Sequence, residues 1–185
     1  MELLLPVEGK IEPASIELGE LHATDYLREL VGGAEPALTP LAKWLRSLGM
    51  ASKFDYLENK DLDHNLGKTS FTMPTTVALA LCTVVPEDGK TGATITEANY
   101  TGYARLVIEA GKLAAASSGK SKTNAKLEFA ACTAGSSTVV GFAILDSSTT
   151  GAGNGLYWGT TTSTVISTTQ TPATIASEGL EVTED

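Results

Sequence analysis

The sequence contains few basic residues. Its 13 Lys and Arg stand against 22 Asp and Glu, which gives a formal net charge of −9. A protein that binds DNA or RNA needs a cluster of Lys and Arg to displace counterions from the phosphates, and the sequence shows no such cluster. We therefore expect no nucleic-acid partner. The acidity favours solubility and suits a partner with a basic surface.

Long apolar runs and cysteines are also rare. No stretch approaches the roughly 20 apolar residues that a membrane span needs. The opening segment 1–6 has three leucines but no basic region, and Pro6 and Glu8 interrupt it, unlike a signal peptide. Cys82 and Cys132 lie in apolar, strand-like runs, which favours two buried thiols over a disulfide. We expect no membrane partner and synthesis in the cytoplasm.

The residues that are present favour a β-rich protein. Apolar residues make up 42% of the chain, enough for a core, whereas aromatic residues make up 6% and charged residues 19%. Gly, Thr, Ser and Ala are abundant, which is typical of short strands and turns. The length of 185 residues suits one principal domain with an appendage. We predict an N-terminal arm over 1–50 and a domain over 51–185.

Helix signals are confined to the first third of the chain. Thr24 could cap a short helix over 24–31. A stronger pattern begins with Thr39 and Pro40 and ends at Gly49. Its apolar stripe consists of Leu41, Trp44, Leu45 and Leu48, with Lys43 and Arg46 on the opposite face. Such a short helix needs a surface to cover its stripe, either on its own domain or on a neighbouring subunit. A further helix is predicted over 52–66, with Ser52 as its N-cap and Gly67 at its end.

After Gly67 the pattern becomes that of β-strands. In the segment 75–86 both alternating faces are apolar, so this strand is predicted to be central and buried. Further strands are predicted at 103–110, 127–133, 137–145, 156–160, 162–167, 172–177 and 179–183. Strands at this spacing predict a mainly β fold, an antiparallel β-sandwich, preceded by the short helix and the partly helical arm. The connection 111–125 is predicted to be an exposed loop.

One segment matches a chemical motif. Residues 114–121 read AAASSGKS, a permissive form of the phosphate-binding loop. That loop requires a helix directly after it, whereas a strand pattern follows here. No nucleophile elbow surrounds any serine, and neither His22 nor His64 has a metal ligand at suitable spacing. We predict no catalytic residues, no metal, no cofactor and no small-molecule substrate.

Four motifs in the β half resemble a family of small structural proteins of tailed phages, labelled tail-fibre proteins, that also includes capsid decoration (head-fibre-like) proteins. The matching segments are MPTTVALALCTVVP at 73–86, EANYTGYAR at 97–105, VGFAILD at 140–146 and NGLYWG at 154–159. The resemblance covers roughly residues 52–183. It implies a virion structural protein that is not an enzyme.

From the resemblance and the residue pattern we expect a capsid decoration or stabilising protein. Its expected partners are the major capsid protein and further copies of itself, in a homotrimer. The alternative is a tail fibre or other tail component that contacts the host surface, although the sequence has no repetitive stalk. Candidate interface residues are of the types that carry interface energy: Trp44, Tyr100, Tyr103, Arg105, Tyr157 and Trp158. The alternative for these side chains is a place in the core or rim of the sandwich.

Overall fold

The computed structural model describes residues 52–184. The predicted arm over 1–50, with its helices at 24–31 and 39–49, lies outside the described residues. The statements below refer to 52–184. None of the helices in that part is long and apolar enough to cross a membrane.

The described chain contains one α-helix, one short 3-10 helix and nine strands. In chain order they are β1 (Ser52–Lys53), α1 (Asp55–Asn65), β2 (Ala78–Cys82), β3 (Leu106–Val107), the 3-10 helix (Ala110–Lys112), β4 (Lys120–Lys122), β5 (Leu127–Glu128), β6 (Ser136–Leu145), β7 (Gly155–Ser167), β8 (Thr174–Ile175) and β9 (Glu181–Thr183). All strand pairs are antiparallel. The fold is mainly β with one short preceding helix, which confirms the predicted fold class.

A five-stranded sheet in the order β1-β7-β6-β2-β3 forms the centre, and two ribbons, β4-β9 and β5-β8, form the second layer. All five residues of β2 are buried, as predicted for a central strand. Leu79 and Leu81 of β2 share one core with Leu127 and Ile175 of the β5-β8 ribbon. Because the ribbons supply these apolar side chains, one face of the sheet is closed by them.

On the opposite face of the sheet, an aromatic side chain from the start of α1 packs on small residues, with the partly buried Ile95 and Trp158 beside it. Ala80, Cys82, Ala143 and Leu145 form a second small cluster with Phe54. The Phe54 ring is fully buried, and a Cβ atom added at Gly155 would overlap it. Small residues on this face therefore make room for the ring, which fixes the helix to the sheet. Cys82 and Cys132 are both free and buried, as expected.

The helix starts later than predicted. Ser52 lies in β1 and pairs with Trp158, while Phe54 is the N-cap of α1 and makes no side-chain cap hydrogen bond. Pairing with β7 and burial of Phe54 outweigh the capping preference of Ser52, because tertiary packing stabilises more than one cap hydrogen bond does. The predicted end is correct: Gly67 follows Leu66 with a φ of 70°.

Two predictions about the strands were wrong. The segments 156–160 and 162–167 form one continuous strand, β7, because an irregular register between Val139 and Gly141 of β6 lets the pair continue. The loop 111–125 contains β4, which pairs with β9. A tight turn at Ser118 and Gly119, both with positive φ, reverses the chain before β4. β4 includes Lys120 and Ser121, the last two residues of the phosphate-loop lookalike, so a strand lies where that loop would need the start of a helix.

Candidate interaction site and the buried arginine network

Arg105 is the centre of a buried hydrogen-bond network. Its side chain has no exposed surface, and its Nη2 lies 2.7 Å from Glu97 Oε1. Nε donates to the same carboxylate, Nη2 also donates to the Gly92 carbonyl at 2.9 Å, and Nη1 donates to the carbonyls of Ser147 and Ala152 at 2.9 and 2.7 Å. These contacts engage all the N–H groups of a guanidinium. A lysine ammonium has three donors from a single nitrogen and could not span them.

Tyr103 completes the network on the side of the sheet. Its hydroxyl donates to Glu97 Oε2 at 2.8 Å and accepts the backbone N–H of Leu81 at 3.2 Å. The Glu97 side chain is 6% exposed, so its charge is compensated inside the protein by Arg105 and Tyr103. The network thereby connects strand β2 with the segment 92–105.

The network holds two surface segments at one end of the sheet. One is the segment around Gly92, and the other is the β6-β7 connection 146–154. Gly92 donates its N–H to the Gly153 carbonyl at 2.9 Å. Within the connection, Asp146 accepts hydrogen bonds from the backbone and side-chain nitrogens of Asn154. Because each segment is held by buried donors, both have a defined conformation.

Gly92 allows the two segments to approach closely. A Cβ atom at this position would overlap the carbonyl oxygen of Ala152, which also accepts from Arg105. We expect Gly92→Ala to lower the free energy of unfolding by about 1–3 kcal/mol, since overpacking must move backbone on one side or the other. Gly111→Ala is the matched control, because nothing lies within 4 Å of its added Cβ. Chemical denaturation of the two variants measures the difference, and equal midpoints would contradict the assignment.

Tyr100 lies inside the domain beside the network. It is 3% exposed, and its hydroxyl donates to the Ala130 carbonyl at 3.1 Å. Its ring meets that of Tyr103 edge-on at 5.5 Å, and Tyr103 stacks on Phe129 at 6.4 Å. Aromatic pairs of this geometry stabilise beyond the area they bury. The three rings join the segment 97–105 to the chain that leads from β5.

Tyr157 and Trp158 lie on β7, at the sheet edge formed by β1. Trp158 is half-buried, and its Nε1 donates to the Lys53 carbonyl at 3.2 Å and to Asp88 Oδ1 at 3.0 Å. Tyr157 donates to the carboxylate of Glu184, which also pairs with Lys53 at 3.2 Å. These side chains attach β1 to the sheet and to the last described residues.

The buried tyrosines predict a distinct alkaline titration. Burial raises the pKa of Tyr100 to about 12, and burial with the nearby Glu97 carboxylate raises the pKa of Tyr103 above its ordinary value of 10.0. Burial and the hydrogen bond to Glu184 raise the pKa of Tyr157 as well. Unfolded phenols ionise near pH 10, so the stability from these groups is complete below pH 10 and is lost as the pH rises towards 12 and above.

Tyrosinate absorbance measures this titration directly. Of the five tyrosines, the three named above should ionise late in the folded protein and near pH 10 after denaturation. Tyr103→Phe should reduce the absorbance change of the late phase by the contribution of one tyrosine. A single titration near pH 10 in the folded protein would contradict the assignment.

The structure places the candidate interface residues in two groups and leaves one outside. Tyr100, Tyr103 and Arg105 share the network, Tyr157 and Trp158 share the β1 edge, and Trp44 lies outside the described residues. Their role in contacts between subunits stays a prediction. Sequence reasoning missed Glu97 as the partner of Arg105, although it stands in the same motif, EANYTGYAR. The one signal in the sequence was an acidic and a basic residue eight positions apart in that motif, and the burial that pairs them appears only in the structure.

Within 52–184, no group of three or more His, Cys, Asp and Glu side chains is arranged to hold a metal ion. An open cleft of about 360 Å³ lies over the phosphate-loop lookalike, lined by Ser117, Lys120, Lys122 and Glu178 among others. Lys120 and Lys122 both pair with Glu181 there, at 3.2 and 3.0 Å, so this one carboxylate offsets part of their positive charge.

The four motifs of the sequence resemblance meet in this network. Leu81 belongs to the first motif, Glu97 and Arg105 to the second, and the connection held by Arg105 joins the third to the fourth. A search of curated proteins finds no match to the chain. A comparison with protein families matches residues 52–183 to the family described as podophage GP4 fiber I protein gp80. Since the match spans most of the chain, this protein belongs to that family and is a bacteriophage structural protein of the fibre type, a component of the virion.

Proposed function

We propose that the protein acts without catalysis, by packing against other proteins of the phage particle as part of a fibre. The observation that carries this proposal is the family match over 52–183, whose description names a fibre protein. The arginine network supports it, because Arg105 and Glu97 are fully used in holding loops. A structural protein needs surface segments of defined shape more than it needs reactive groups.

A second candidate function is capsid decoration, with the major capsid protein and further copies of this chain, in a trimer, as partners. What favours it is the layered domain of residues 52–184, in which no repetitive stalk is found. Fibres that reach far from a particle are generally built from repeats, whereas a decoration protein needs a compact body and an attachment segment. In either placement, we propose that residues 1–50 carry the attachment and that residues 51–185 form the folded body. We also propose that the protein is assembled into the particle in the host cytoplasm.

Stoichiometry in purified particles distinguishes the two placements. A fibre component should be present at a small fraction of the copy number of the major capsid protein, and a decoration protein at a comparable number. Electron microscopy with an antibody against the chain adds the location. Antibody on the tail supports the fibre, antibody spread over the shell supports decoration, and no protein in the particle would overturn both.

Particle binding by a truncated chain tests the role of residues 1–50. Particles lacking the protein are mixed with the full chain or with 51–185, and bound protein is quantified. We expect the truncated chain to lose binding. Its folding is checked by the unreactive buried thiols of Cys82 and Cys132, so undiminished binding by folded protein would contradict the proposal.

A further inference from the structure

The β6-β7 connection ends in an asparagine followed by a glycine, Asn154 and Gly155. In such a sequence the glycine nitrogen can attack the carbonyl carbon of the asparagine side chain, because the glycine has no side chain to hinder the approach. The new C–N bond closes a cyclic imide, and the side-chain NH2 takes up the glycine proton and leaves as ammonia. Water then opens the ring to aspartate or isoaspartate. Asn154 is therefore a candidate site of deamidation, a modification whose only co-reactant is water.

Asp146 holds Asn154 through both its backbone and its side chain. The Asp146 carboxylate accepts the backbone N–H of Asn154 at 2.6 Å and its side-chain amide at 2.8 Å. The Asp146 backbone N–H donates to the Asn154 carbonyl at 3.2 Å. Attack by the glycine nitrogen requires the side chain and the following peptide to rotate towards each other. These hydrogen bonds must therefore break before the reaction can begin.

Packing restricts the glycine side of the same peptide bond. Gly155 is buried and lies opposite Leu145 in the β6-β7 ladder. A Cβ atom added at Gly155 would overlap the fully buried ring of Phe54, so the backbone has little room to turn there. Arg105 holds the connection from its other end through two backbone carbonyls. The peptide between Asn154 and Gly155 is thus fixed on both sides.

We propose that Asn154 is a deamidation site that the folded domain keeps closed, with Asp146 as the residue that restrains it. The reaction proceeds when the connection 146–154 opens, and its product cannot regain the closed conformation. An aspartate at 154 has no amide to donate and places a second carboxylate against Asp146, while an isoaspartate adds an atom to the backbone before β7. This inference goes beyond the proposed function, because deamidation turns a transient opening into a permanent change of a surface segment.

Peptide mapping by mass spectrometry measures the deamidation of Asn154 while the full chain is incubated at mildly alkaline pH. The native protein should react more slowly than the chain in denaturant by about tenfold or more, since the connection must first open. Asp146→Ala should react about tenfold faster than the native protein, because it loses two hydrogen bonds to a charged acceptor. Ser148→Ala, at an exposed position of the same connection, is the matched control and should leave the rate unchanged.

The reactivity of the buried thiols of Cys82 and Cys132 shows whether Asp146→Ala remains folded. A folded Asp146→Ala that reacts no faster than the native protein would overturn the proposal, and a slower reaction would mean that Asp146 promotes deamidation. If Asp146→Ala does not fold, the native protein is followed at denaturant concentrations below its unfolding transition. A rate that rises less steeply than global unfolding supports opening of the connection alone, whereas a rate proportional to global unfolding would overturn it.

Asn154→Asp tests the consequence of the reaction, because it carries one of the two products. Its denaturation midpoint should fall and the amides of 146–154 should exchange faster, since two carboxylates then meet at this position. Asn124→Asp makes the same change of charge at an exposed asparagine and should leave both measurements unchanged. Equal midpoints and equal exchange in the two variants would show that the product still fits the closed conformation, against the proposal.

Discussion

Arg105→Met should lower the free energy of unfolding by about 3–5 kcal/mol, the cost of removing one partner from a buried ion pair. The variant leaves the Glu97 carboxylate, 6% exposed, without its cation. It also leaves the carbonyls of Gly92, Ser147 and Ala152 without their donors. Water cannot replace these contacts while the site stays closed, so the two surface segments must separate or the domain must unfold.

A matched control separates burial from loss of charge. Lys126 and Glu128 form an ion pair whose side chains are 62% and 45% exposed, and surface pairs contribute about 0–1 kcal/mol. Lys126→Met removes the same charge and should leave the denaturation midpoint almost unchanged. If both variants lost the same stability, the burial argument for Arg105 would be wrong.

The double variant tests the origin of the loss. Arg105→Met with Glu97→Gln removes the uncompensated charge, so it should recover part of the stability that Arg105→Met loses. Chemical denaturation of the four proteins in this cycle gives the coupling between the two residues. A double variant as unstable as the sum of the single variants would mean that the two side chains act independently.

Phe54→Ala should have an effect of similar size through a different cause. The Phe54 side chain is fully buried against Ala80, Ala143 and Leu145, and replacing a core Phe with Ala costs about 3–5 kcal/mol. The ring lies between the start of α1 and the sheet. Its loss therefore weakens the attachment of the helix as well as the core.

The control for Phe54→Ala is an exposed side chain of similar length. Met73 is 81% exposed, so Met73→Ala should change the unfolding free energy by about 0.5 kcal/mol or less. Hydrogen exchange of the α1 amides adds a local readout, since the helix should open more readily in Phe54→Ala. Unchanged exchange in α1 together with unchanged stability would show that Phe54 does not hold the helix.

Local pattern predicted the elements with the strongest local signals. The segment 75–86 predicted a central strand because both of its faces are apolar, and β2 is buried throughout. Gly67 predicted the end of α1 because a glycine readily adopts positive φ, and its φ is 70°. The family resemblance likewise depended on residue order, so it needed no structure.

Pattern failed where distant residues determined the conformation. Ser52 has the side chain of an N-cap, yet it pairs with Trp158, more than a hundred positions along the chain. In the sequence, the lysines of β4 are typical of an exposed loop. In the structure they lie in a strand that pairs with β9, and Glu181 of β9 forms ion pairs with them. Propensity describes a few neighbouring residues, and a β-ladder is stabilised by partners that are remote in sequence.

By itself, the sequence determined that this protein is mainly β and antiparallel, and that it resembles a phage structural family. Alternating apolar faces and turn residues are local features of the sequence. A chain of this composition has few other folds in which its apolar faces are buried. Tertiary structure alone decided what Arg105 does. Its partners lie at Gly92, Glu97, Ser147 and Ala152, and three of these contacts are backbone carbonyls. A carbonyl leaves no trace in a sequence, because every residue has one, so its use appears only when folding brings the segments together.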